Sequence, residues 1–288
     1  MKHIPVLLDA VQNALGDVRG RTIVDCTFGA GGYTRAFLKA GANVIAFDRD
    51  TSVLSDVIEI QKEYGDRFRF INAPFSEISN LNPNDFDDVV FDLGISSMQI
   101  DNGARGFSFR FDAPLDMRMD VRCKTTAADL IEKLSDSELA DILYEYGDIK
   151  KSHMLAKILK KELPRTTFEL RDLVKKQSDV APVFQALRIA VNDEMGEIKS
   201  ALESVRCLLR DGGRCVCVTF HSLEDRIVKN TFRKWTENLG DPHLPTIEPA
   251  EYKLLRTVLP SDKELAENPR ARSAHMRGVE KSINILLT

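Results

Sequence analysis

Short apolar runs that stop at glycine or aspartate recur through the first third of the chain. Thr22 to Thr27 is one and Val44 to Asp48 another, with helical spacing from Tyr33 to Ala40 between them. Apolar runs of that length bounded by turn residues read as buried strands, which makes this a strand-helix-strand unit. The alternation continues with Val53 to Glu63 as helix, Arg67 to Asn72 as strand and Asp88 to Asp92 as strand. Strands that alternate with helices build a sheet with right-handed crossovers, so the pattern predicts a doubly wound, mostly parallel α/β sheet. Farther on, Phe184, Leu187, Val191, Met195, Ile198, Leu202, Val205 and Leu209 are spaced by three and four, which predicts one long amphipathic helix laid on that sheet. Asp211-Gly212-Gly213 stops it, Arg214 to Phe220 reads as the next strand, and weaker runs at Lys253 to Leu259 and Ser282 to Leu287 would complete the sheet.

Between the fourth strand and the long helix lies a stretch that the sheet does not require. Thr126 to Leu134, Ser137 to Tyr146, His153 to Leu163 and Thr167 to Lys176 show helical spacing, and Ser135-Asp136-Ser137-Glu138 supplies a cap. The simplest organisation is a cofactor-binding domain formed by 1–103 and 183–288, interrupted by a helical insertion over 104–182 that recognises substrate. Just ahead of it, the segment from Phe91 through Gln99, Arg105, Phe107, Phe109 and Pro114 to Asp120 packs charge, glycine and aromatics together with no amphipathic period. Loops on a rigid scaffold concentrate binding and catalytic residues, so this segment reads as the floor of an active site.

Composition sets mild limits. With 288 residues, 43% hydrophobic and 29% charged, the chain has the make-up of an ordinary globular protein. No run approaches the ~20 apolar residues of a membrane span and Met1 to Pro5 lacks signal-peptide design, so the expected location is the cytoplasm, with no membrane partner. The five cysteines lack the paired spacing of a zinc site, and no metal is expected. A net charge of −4 excludes a globally basic nucleic-acid binder and leaves room for a local basic face.

Asp25 closes the first strand and Gly29-Ala30-Gly31-Gly32 follows before a helix, while Asp48 closes the second strand, where a carboxylate can accept hydrogen bonds from a ribose diol. The glycine spacing is not that of dinucleotide enzymes, and Asp25 would repel a pyrophosphate. Aspartates at three strand ends, Asp25, Asp48 and Asp92, suit a cationic cofactor such as S-adenosylmethionine better than NAD. Phe75, after the third strand, either covers an adenine face or plugs the core. Asp92 ends a buried strand with no adjacent cation in sequence, a costly placement that points to a site.

Several blocks then carry a resemblance: His3 to Leu8, Asp25 to Gly32, Asp48-Arg49-Asp50, Phe91 through Asp120, Phe184 to Ile189, Phe220-His221-Ser222-Leu223-Glu224-Asp225-Arg226, and Asn268 to Ser273. In these the chain closely resembles the bacterial 16S ribosomal RNA cytosine N4-methyltransferases, class I enzymes that use S-adenosylmethionine and modify a cytosine in the decoding region of the small subunit. The resemblance implies donor contacts at Gly31, Gly32, Tyr33, Asp48, Phe75, Asp92 and Gln99, with the small ribosomal subunit as partner, and it allows a homodimer. The family has histidine where Tyr33 stands, and Tyr146-Gly147-Asp148-Ile149 and Ala181-Pro182-Val183 also depart from its pattern.

The cytosine amine is a poor nucleophile because its lone pair is delocalised into the ring. Its methylation requires an acceptor for an N4 proton and in-line placement of the nitrogen. Asp92, Asp116 and His221 are the candidates, although His221 could equally cap the helix that starts near Leu223. Phe107, Phe109 and Phe111 either stack on an extruded base or close the loop. For RNA phosphates, residues 268–281 carry Arg270, Arg272, Arg277 and Lys281 against Glu280, a surplus of three, and Arg105, Arg110, Arg118 and Arg122 lie near the expected pocket. A cofactor-binding assembly factor without catalysis is the competing reading, and an NAD-dependent oxidoreductase a third.

Overall fold

The structure is a computed structural model that describes residues 5–83, 85–237 and 250–283. His3 and Ile4 of the first resembling block, and 284–287 of the last expected strand, lie outside the described residues. The chain divides into two compact units, Met1–Gly94 with Met195–Thr288, and Ile95–Glu194. The sequence reading had placed these boundaries at 104 and 182.

The first unit is a seven-stranded sheet. Its strands are β1 (Thr22–Asp25), β2 (Asn43–Phe47), β3 (Phe68–Ile71), β4 (Asp88–Asp92), β5 (Arg214–Thr219), β6 (Tyr252–Leu254) and β7 (His275–Lys281), in the spatial order β3-β2-β1-β4-β5-β7-β6. The first five are parallel and β7 runs antiparallel between β5 and β6. Helices α1 (Leu8–Leu15), α2 (Gly32–Lys39) and α3 (Leu54–Tyr64) belong to this unit. Val11, Leu15, Phe37 and Ile60 pack with Ile23, Val44 and Val216 of the strands into one core. Central strands buried on both faces must read as continuous apolar runs, which is why β1, β2 and β4 stood out in the sequence. Because β1 leads outward through β2 to β3, and β4 leads the other way to β5, the order reverses between β1 and β4. A crevice therefore opens beyond the carboxyl ends of those two strands.

The second unit is helical. After α4 (Ser97–Asp101) come α5 (Ala127–Lys133), α6 (Asp136–Gly147), α7 (Ser152–Glu162), α8 (Thr167–Leu173) and α9 (Gln177–Asn192). Leu139, Leu143, Leu155, Leu159, Leu170 and Leu187 form its own core. Capping boxes start α5, α6 and α8, with the Thr126, Ser135 and Thr166 side chains accepting from the third helical amide.

One expectation is corrected, and one strand was not expected. The single helix through Phe184 and Leu209 is instead α9 followed by α10 (Glu194–Leu208), because Asp193 adopts φ 46° and ψ 42° and breaks the hydrogen-bond ladder. Phe184 and Leu187 accordingly pack in the core of the helical unit and not on the sheet. Among the described residues the last strand is β7, a stretch whose charges had read as a basic arm. Its Arg277 and Glu280 are neutralised in place by Asp225 at 2.7 Å and by Arg214 at 2.8 Å, so a charged sequence can lie inside a sheet. The helix α11 (Ser222–Trp235) follows β5, and α12 (Asp262–Glu267) lies between β6 and β7, in the chain segment that completes the first unit.

Candidate active site

Carboxylates gather at the carboxyl ends of β1, β2 and β4. Asp25 is fully buried and satisfied: Thr34 Oγ1 donates to Oδ2 at 2.7 Å and the Thr27 amide to Oδ1 at 3.1 Å. Burial still pushes its carboxyl above the ordinary value, against the pull of those bonds. Asp48 accepts the Gly29 amide on Oδ2 and the Asp50 amide on Oδ1, both at 2.8 Å, while its carbonyl holds Asn72 Nδ2 at 2.8 Å. Burial raises Asp48 to about 6 despite the two amides. Each of its oxygens retains a second lone pair for an incoming hydroxyl donor.

Asp92 differs from both. Its backbone amide donates to Thr27 Oγ1 at 2.6 Å, but its side-chain Oδ1 is buried with no hydrogen-bond partner among the described residues. Burial, then the fields of Asp25 and Glu224, drive its carboxyl well above the usual range. Glu224 is the member that sequence reasoning missed. It is fully buried, and its Oε2 accepts the Phe220 amide at 2.7 Å and the His221 amide at 3.3 Å. A Cβ on Gly94 would stand 3.4 Å from Glu224 Oε1, which places this carboxylate under the turn that leaves β4. In sequence, a glutamate three residues after a cap looks like half of a capping box, and it is that as well: His221 Nδ1 accepts the Glu224 amide at 3.4 Å. His221 Nε2 comes within 3.0 Å of Glu224 Oε1, yet the angles do not make a hydrogen bond and both atoms stay buried without one. His221 is thus the N-cap of α11 and stands beside the acidic edge.

The glycine turn has a different basis from the one expected. Gly31 sits at φ 72°, and a Cβ there would fall 2.7 Å from Ile60 Cδ1, while a Cβ on Gly32 would fall 2.5 Å from Pro5 Cγ. Protein packing, as much as ligand approach, demands glycine at both. Tyr33 points its ring into the core, 6.0 Å from Phe37, and its hydroxyl donates to the Val6 carbonyl. Burial pushes that hydroxyl well above its ordinary value, and with ring and hydroxyl held in the core Tyr33 has only its backbone to offer the turn. Phe75 is half-buried, edge-on to Phe91 at 5.6 Å and 6.0 Å from the Arg49 guanidinium, and Glu197 ties its loop through the Ser76 amide at 3.3 Å.

Gln99 and Asp116 belong to the helical unit. Gln99 is buried and its Oε1 accepts the Ser96 amide at 3.2 Å, closing the capping box of α4. Asp116 is gripped by Arg118 on both oxygens at 2.7 Å and also accepts the Arg118 amide at 3.0 Å. Partial burial pushes Asp116 up, but the Arg118 contacts outweigh it and hold the carboxyl below the ordinary value. Phe107 and Phe109 join the helical core, and Phe109 lies edge-on to Phe184 at 5.5 Å, whereas Phe111 is exposed. Of the expected phosphate-binding arginines, Arg118 is spent on Asp116, Arg122 on Asp120 at 2.8 Å, and Arg277 on Asp225.

The donor set fits a cationic, hydroxyl-bearing ligand. An unpartnered carboxyl oxygen at Asp92, a carboxylate with spare lone pairs at Asp48, and two further carboxyls nearby would repel an anion and gain from a sulfonium and an ammonium.

Known proteins are similar to nearly the whole chain. The MraW methylase family matches residues 1–282. A protein of Caulobacter vibrioides named ribosomal RNA small subunit methyltransferase H is 44% identical over 97% of this chain and 96% of its own. Proteins of the same name from Chelativorans (43% identical, 97% and 87% covered) and Rickettsia conorii (40%, 96% and 97%) are similar across the same length.

Proposed function

The chain belongs to the MraW methylase family, and from that premise we propose that it methylates the N4 amine of a cytosine in 16S ribosomal RNA, with S-adenosylmethionine as donor. The target lies in the decoding region, the substrate is the small ribosomal subunit in the cytoplasm, and a homodimer is part of the same reading, open to sedimentation. The observation that carries it is the match of nearly the whole chain to relatives named as small-subunit RNA methyltransferases at 40 to 44% identity. The acidic edge with an unpartnered Asp92 oxygen supports the donor.

The proposed donor contacts are the backbone of Gly31, Gly32 and Tyr33, the carboxylate of Asp48 for the ribose, Phe75 for the adenine, Asp92, and Gln99. When bound, the donor supplies a methyl group on a sulfonium, a good leaving group that needs no metal. Asp92 is the proposed proton acceptor: its Oδ1 is buried without a hydrogen-bond partner among the described residues, and once a cationic donor beside it favours the ionised form, that oxygen can take the N4 proton. Asp116, ionised and saturated by Arg118, is less suited, and we assign it to holding the loop in shape. His221 and Glu224 shape the wall beyond β5.

Small subunits lacking the modification, incubated with methyl-labelled donor and digested to nucleosides, should yield labelled N4-methylcytidine. Label on a ring carbon would overturn the reaction type. Tight donor binding with no transfer to subunits or to free 16S RNA would favour the assembly-factor alternative.

A further inference from the structure

A second concavity opens at the end of β5, and neither the donor contacts nor the proton acceptor uses it. It encloses about 390 Å³ and is lined by His221, Arg226, Lys229, Asn230, Ser273 and His275, all in the sheet unit. Arg226 and Lys229 stand three residues apart on α11 and so share a face. Both are exposed, and neither makes an ion pair among the described residues. The carboxylate in the lining, Asp225, is neutralised by Arg277, at 2.7 and 2.9 Å. Burial pushes Asp225 up, and Arg277 more than offsets it, so the acid stays ionised and paired. Two exposed cations, an amide and a hydroxyl therefore converge on one small cavity. An anion with several acceptor oxygens is the ligand those groups select.

We propose that this cavity seats a backbone phosphate of the substrate RNA, from a nucleotide flanking the target cytosine. The inference rests on the reading that the substrate is RNA. Its location supports it: Val218 of β5 pairs with Asp92 of β4, and the cavity begins two residues further along, at Phe220 and His221. A phosphate held there would be anchored from the same sheet edge that carries the proposed proton acceptor. It also relocates the positive charge. The expected arm loses Arg277 to its ion pair, whereas the first turns of α11 supply cations that composition hides within a chain of net charge −4.

The test uses the whole protein, with small subunits lacking the modification as the probe, and filter binding across a salt series. The double variant Arg226→Ala/Lys229→Ala should bind more weakly at low salt. It should also flatten the slope of log affinity against log salt by about 1.4, two charges at ~0.7 each on single-stranded RNA. The swap Arg226→Lys/Lys229→Arg keeps both charges and should keep the wild-type slope. Unfolding temperature and donor affinity should be unchanged in both, because the two side chains are exposed. A wild-type slope in the alanine variant overturns the proposal, as does a swap variant that loses as much as the alanines. If wild type binds but transfers no methyl group, the enzymatic reading fails while the phosphate seat is still judged on the slope. If wild type does not bind the subunits at all, the RNA reading falls and this inference with it.

Discussion

Asp92 and Asp116 stand in opposite electrostatic states: one with a raised carboxyl and an oxygen without a partner among the described residues, the other held ionised by a two-pronged arginine. With the cationic donor bound, the ionised form of Asp92 is favoured and its unused oxygen can accept the N4 proton, so Asp92→Asn should slow single-turnover methyl transfer, at saturating donor and RNA, by about 10²-fold or more. Asp116→Asn should run near the wild-type rate and instead lower stability by about 1 kcal/mol, since its ion pair is partly exposed. The reverse pattern of rates would exchange their roles. Asp48 supplies a pH test. Its carboxyl is raised from 3.8 to about 6, so the folded protein holds that proton more tightly than the unfolded chain does. The cost of ionising it is absent below the ordinary value, grows as pH rises through this window, and is fully present above about 6. The ligand-free protein should therefore lose stability as pH rises from 3.8 towards about 6, read as its unfolding temperature, and Asp48→Asn, whose amide can accept only one of the two backbone N–H groups, should be less stable but lack that step. Donor affinity of the wild type, by calorimetry, should fall as pH drops through about 6, because a neutral carboxyl is a weaker acceptor. A flat affinity profile would remove Asp48 from the donor site. Asp48 and Asp92 were legible in the sequence because an acid that ends an apolar run is an anomaly. Glu224 was not, because a glutamate at the third helical position is ordinary.

At the scale of elements, what could be read depended on whether hydrophobicity alone decided the structure. β4 came out of the sequence with its bounds intact, since every side chain from Val89 to Phe91 is buried. β7 did not, because it places charges inside a sheet and depends on Asp225 and Arg214, remote in sequence, to neutralise them. Its Gly278 marks the same context: a Cβ there would fall 2.9 Å from Leu255 and 3.3 Å from the Cys215 carbonyl, contacts invisible before the strands are paired. The break between α9 and α10 was hidden for another reason, that three-four spacing persists through a single left-handed residue. Asp193 carries that conformation at φ 46°. A β-branched residue tolerates it poorly, so Asp193→Val should lower stability by about 1 to 2 kcal/mol, while Asp193→Gly should be neutral or slightly stabilising, as read by thermal unfolding. Equal losses for both would mean that the aspartate side chain, and not the backbone, sets the break.

Across the whole molecule, the two units differ in what they need from each other. The sheet unit has all seven strands, and its core draws on residues of Met1–Gly94 and Met195–Thr288 alone. The helical unit has a separate core and capping boxes that start four of its helices without outside help. A domain with its own core can fold alone, so the 95–194 segment is removable in principle. Most of the proposed donor contacts, from Gly31 to Asp92, lie in the sheet unit, and Gln99 is the exception. Replacing 95–194 with a short flexible linker should therefore leave a protein that unfolds in one cooperative transition. It should bind S-adenosylmethionine with a loss of about 1 kcal/mol, the worth of one hydrogen bond. Methyl transfer to small subunits should disappear, because substrate recognition is assigned to the removed segment. Transfer at the wild-type rate would show that the helical unit is dispensable for recognition. A shortened protein that does not fold would show that the division between the units is geometric and not energetic.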